Sequence, residues 1–99
     1  MAEVTIEQLE GTLRKSLEDH FQGMTIERIS VARDFDFDDS PILRVLAIYS
    51  PEELRIDPSA RAAMVRVIRP RLLELAEERF PMIRLLSRRD AEELSPEAA

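Results

Sequence analysis

The sequence predicts an α+β fold, a two-layer sandwich with element order α-β-β-α-β, and three observations predict it. Ile29, Val31, Phe35 and Phe37 alternate with Ser30, Ala32, Asp34 and Asp36, the period of a strand with one apolar and one acidic face. Two other stretches, Ile6 to Phe21 and Ala60 to Leu75, repeat their apolar residues at three- and four-residue steps, the period of helices lying on a core. A further β-rich run, Met82 to Ser87, follows the break made by Phe80 and Pro81.

The first helix begins at Ile6, because Thr5 and Gln8 form a capping box and Val4 and Leu9 are spaced as its hydrophobic staple. Ile6, Leu9, Leu13, Leu17 and Phe21 define its buried stripe, and Gly23 suits a left-handed stop beyond the last turn. The first strand is expected from about Thr25 to Asp38, a turn at Asp38, Asp39, Ser40 and Pro41, and the second strand from about Ile42 to Tyr49. Ser50, Pro51 and Glu53 suit a single helical turn. Asp57 followed by Pro58 is a stronger start signal, an N-cap with proline at the first helical position.

From there a long helix is expected towards Arg79, with Ala60, Met64, Ile68, Leu72 and Leu75 inward and Val65 and Ala76 widening that side. Pro70 removes a backbone donor and crowds the carbonyl of Arg66, at about 3 kcal/mol, so a kink or a break is expected there. The tail from Arg88 to Ala99 is charged and small-residued, with a turn of helix from Asp90 and then fraying. One domain over residues 1–88 and a tail over 89–99 follow. A parallel pairing of the second and third strands places both helices on one face of a three-stranded sheet.

In element order this resembles KH-type and BolA-like small domains. KH domains carry a GXXG loop, which Gly11 and Gly23 cannot supply, and BolA-like proteins carry a late histidine, where this chain has only His20. The resemblance implies architecture, and architecture does not fix function.

Composition removes several function classes. Twenty acidic against fourteen basic residues give a net charge of −6, which disfavours attraction to phosphate backbones. The absence of cysteine excludes thiol nucleophiles, thiolate metal sites and disulfides, and makes the cytoplasm the simplest address. Met1 to Leu9 carry Glu3 and Glu7 rather than a signal-like apolar run, and no apolar stretch approaches the ~20 residues that span a bilayer. Two glycines cannot build a Gly-rich phosphate loop.

Four groups of residues are candidates for chemistry or binding. Asp34, Asp36 and Asp38 would share one strand face at about 7 Å spacing, with Asp39 beside them, and three carboxylates suit Mg²⁺ or Ca²⁺. An EF-hand loop from Asp34 would need glycine and glutamate where Asp39 and Val45 stand, so a solvated hairpin face is the expected role. His20, at the end of the first helix, is placed to complement the helix dipole rather than to act as a base.

Arginine outnumbers lysine thirteen to one, and Arg61, Arg66 and Arg69 lie on the long helix, where acidic neighbours such as Glu74, a favourable step from Arg71, should neutralise much of the charge. Phe35 and Phe37 are expected under the helices as core. If exposed, they form an adhesive patch beside open sheet edges, fit for a partner or a homodimer seam.

The reading these observations support is a small, non-enzymatic protein-interaction module without a cofactor. It would dock, as a regulator, on a basic protein partner through a sheet edge or the acidic hairpin of Asp34, Asp36, Asp38, Asp39, Phe35 and Phe37. Two alternatives stand beside it: single-stranded nucleic acid held by Arg61, Arg66 and Arg69, and a divalent-metal enzyme at Asp34, Asp36 and Asp38.

Overall fold

The computed structural model describes residues 3–94. Helix α1 (Ile6–His20) leads into strand β1 (Thr25–Phe35), strand β2 (Pro41–Ser50), helix α2 (Pro58–Leu73), strand β3 (Phe80–Ser87) and helix α3 (Arg88–Leu94). The strands form a three-stranded mixed sheet in the order β1-β2-β3, antiparallel between β1 and β2 and parallel between β2 and β3. Expectation and structure agree on an α+β sandwich with α1 and α2 over one sheet face.

Local chemistry accounts for the starts. Thr5 accepts the Gln8 N–H at 3.1 Å while the Gln8 side chain accepts the Thr5 N–H at 2.9 Å, closing the capping box. Gly23 has φ +79°, a conformation that a side chain would strain. Asp57 caps α2 by accepting the Ser59 N–H at 3.0 Å, with Pro58 at the first helical position. The chain between β2 and α2 turns at Pro51, whose carbonyl accepts the Leu54 N–H at 3.1 Å.

Leu9, Leu13 and Leu17 of α1 and Met64, Ile68 and Leu72 of α2 bury against Ile26, Val31, Leu43, Val45, Ala47 and Leu85 of the sheet. Register fixes the face: Val31 pairs with Val45, and Val45 in turn with Ile83. A bulge at Glu27 lets Ile26 and Ile29 both serve that face although three residues apart.

Four boundaries differ from the sequence reading, one of them the start of β3, where Phe80 and Pro81 pair with Ile42 and Leu43 inside the sheet instead of marking a break. Strand β1 stops at Phe35, not at Asp38, because the Asp36 carboxylate accepts the N–H groups of Asp38 and Ser40, each at 2.9 Å, and draws the chain into a turn. The Asp39 N–H bonds the Asp36 carbonyl, and Asp39 takes φ +62°, the left-handed residue of a three-residue hairpin loop.

Helix α2 runs through Pro70 as one element and ends at Leu73 rather than near Arg79. Pro70 lies three residues from that end, so its missing donor leaves only the Arg66 carbonyl without a helical partner. The stop itself comes from paired bonds, Ala76 N–H to the Leu73 carbonyl and Glu77 N–H to the Leu72 carbonyl, with Ala76 at φ +59°.

Arg88–Leu94 forms α3, longer than the turn expected from Asp90, and lies on the sheet face opposite α1 and α2. Ser87 caps its start by accepting the Asp90 N–H, and Arg88 and Arg89 pair with Glu27 and Glu52. The expected fraying of residues 95–99 lies outside the described residues.

Candidate interaction surfaces

The carboxylates singled out in the sequence do not converge. Asp34 lies on β1 across from β2 and accepts the Arg44 Nε–H at 2.9 Å, and its own side chain also accepts the Phe35 N–H. That backbone bond, and then Arg44, hold the Asp34 carboxyl below the usual aspartate range. Asp36 is occupied with the turn, whereas Asp38 and Asp39 stand on the loop and point their charge at solvent. Among the described residues, no three His, Cys, Asp or Glu side chains are arranged to hold a metal ion.

Phe35 and Phe37 are exposed at 62% and 96%, against the expectation that they complete the core. The apolar strand face is interrupted by Arg33, between Val31 and Phe35. Its guanidinium donates to the Val4 carbonyl at the N-terminus of α1, and the helical cover ends there. Phe35 lies past that limit and Phe37 on the turn. The sequence signal for this was Arg33 itself, a charge at an inward position of the alternation.

His20 is a structural tie. Its Nε2 lies 2.7 Å from the Ala60 carbonyl and donates to it, joining the end of α1 to the first turn of α2, while its ring stands edge-on to Phe21. Five arginines form ion pairs among the described residues: Arg44 with Asp34, Arg71 with Asp19, Arg79 with Glu77, Arg88 with Glu27 and Arg89 with Glu52. Arg71 reaches across to Asp19 and Ser16 of α1 instead of along its own helix to Glu74. Arg61, Arg66 and Arg69 are exposed on α2 and form no ion pair among the described residues, although Arg69 stacks over the Phe80 ring at 5.4 Å.

Sequence reasoning missed the other face of the sheet. There β2 and β3 present Leu46, Ile48, Met82 and Leu86, with Met82 48% exposed, beside Arg28 and Arg84. Ala91 and Leu94 of α3 wall one end of this face, making a shallow trough of about 390 Å³ with Leu46, Ile48 and Leu86 as its floor. Arg28 and Arg84 line the trough and make no ion pair among the described residues. Three segments distant in sequence build it, so no local pattern announces it.

No family model, curated protein or solved structure matches the chain in comparisons with known proteins. Among the described residues no helix is long and apolar enough to cross a membrane.

Proposed function

We propose that this protein is a non-enzymatic interaction module that docks on a protein partner through the tip of the β1–β2 hairpin. The observation that carries the reading is Phe37, a phenyl ring 96% exposed on a turn. Burying such a ring is worth about 1.5–3 kcal/mol, which binding would recover. Hydrogen bonds from Asp38, Ser40 and Asp39 to Asp36 hold the turn in shape, so little ordering entropy opposes association.

Asp38 and Asp39 beside the ring set the sign of the partner. A site for this tip has an apolar floor and a cationic rim, as on a basic protein that the module would regulate. A cysteine-free chain with net charge −6 fits a role in the cytoplasm.

Affinity capture on the immobilised protein tests this, with Phe37→Ser and the Asp38→Asn, Asp39→Asn double variant as controls of unchanged fold. The expected outcome is a partner retained by the wild type and lost at least tenfold by both variants. Equal retention by all three, or no partner for the wild type, contradicts the reading.

Nucleic acid remains the second reading because Arg61, Arg66 and Arg69 carry no ion pair among the described residues. The aromatic surface available there is Phe80, already engaged by Arg69, which leaves little for base stacking. Gel-shift binding of single-stranded RNA that Arg66→Ala and Arg69→Ala abolish would move the assignment to that helix.

A further inference from the structure

We infer that the partner is a second copy of this chain, whose sheet carries the surface that the hairpin tip requires. The inference rests on the hairpin reading above and adds the identity of the receptor. The trough beside α3 has an apolar floor of Leu46, Ile48 and Leu86 and two arginines, Arg28 and Arg84, without an ion-pair partner among the described residues. Glu27 and Glu92 also line it, and Glu27 pairs with Arg88, so among the described residues the trough holds three guanidiniums against two carboxylates, with Arg28 and Arg84 in no ion pair. A phenyl ring between two carboxylates is the complementary ligand: the ring fills the trough and the carboxylates meet planar guanidinium donors.

The geometry permits both contacts at once. Trough and tip lie at opposite ends of one sheet, since Arg28 and Asp34 are six residues apart on β1, about 20 Å at strand rise. Two copies placed face to face with their strands antiparallel put each hairpin over the other's trough. Between these contacts the exposed Leu46 and Met82 of the two copies meet, and the small side chains of Ser30 and Ala32 allow close approach. The arrangement is two-fold and closed, so it yields a dimer and not a filament. The net charge of −6 on each copy opposes encounter at long range, which places the dimer at high protein concentration.

A charge-exchange experiment tests the pairing by sedimentation velocity over a concentration series, with circular dichroism confirming the fold of each variant. Arg84→Glu and the Asp38→Arg, Asp39→Arg double variant should each raise the dimer dissociation constant at least tenfold alone. Mixed together they should restore association, because each hairpin then faces a trough of opposite sign. Phe37→Ser should be monomeric in every combination. A wild-type chain that stays monomeric overturns the inference, as does a dimer that survives either charge variant, or a mixture that fails to restore it. If the chain is monomeric but captures another protein in a Phe37-dependent way, the hairpin reading stands and self-pairing alone falls.

Discussion

Glu27 shows how much a single bulged residue can organise. The extra residue in β1 turns its carboxylate towards Arg88, and that side-chain bond, with a further one from Ser50, holds the carboxyl below its ordinary value of 4.5. Because the folded value is depressed, the stabilisation is complete above the unfolded value and is lost as pH falls through the folded one. Asp34 behaves the same way through Phe35 and Arg44. Urea midpoints measured at pH 7 and pH 3 should therefore fall less between the two in Glu27→Gln than in the wild type. An equal fall in both would remove the Glu27–Arg88 tie from the acid response. Arg33 makes the complementary point: it is a charge in a line of inward apolar positions, it serves the Val4 carbonyl, and it marks where the core ends.

At the scale of elements, the starts of α1 and α2 and the Gly23 stop were readable in the sequence, and the ends of β1 and α2 were not. Thr5, Gln8, Asp57 and Pro58 act on backbone groups within three residues, so their signals are local and complete. The end of β1 is set by Asp36, one aspartate among several that could have made the turn, and the end of α2 by Ala76, a residue with no preference for the turn it makes. Ala76 occupies a left-handed position where glycine is the usual residue. Ala76→Gly should stabilise the fold by about 1 kcal/mol, raising Tm by roughly 4–8 °C in a thermal melt. A lowered Tm would show that the turn does not carry that strain. Helix α3 offers few apolar residues, chiefly Ala91 and Leu94, too few for a periodic signal, and it docks on a face that no local pattern marks for cover.

For the whole molecule, the sheet is covered on one face by α1 and α2, while among the described residues the other meets only the seven-residue α3 and leaves apolar side chains beside arginines in no ion pair. The fold class and the one-sided helical layer were legible because amphipathic periods report burial directly. The candidate surface was legible in half: Phe35, Phe37 and the aspartates are contiguous in sequence, whereas the trough joins β1, β2, β3 and α3 and exists only in three dimensions. A sheet exposed in this way has an acidic aromatic tip at one end and an apolar trough with unpaired arginines at the other, the two surfaces that the proposed association joins.

The most direct measurement is a dilution series of amide NMR spectra on the wild-type chain. The account predicts that concentration moves the amide signals of residues 36–40 together with those of 46–48 and 84–94, leaving the α2 signals in place. Shifts confined to α2, or none at any concentration while added proteins also leave residues 36–40 unmoved, would contradict it.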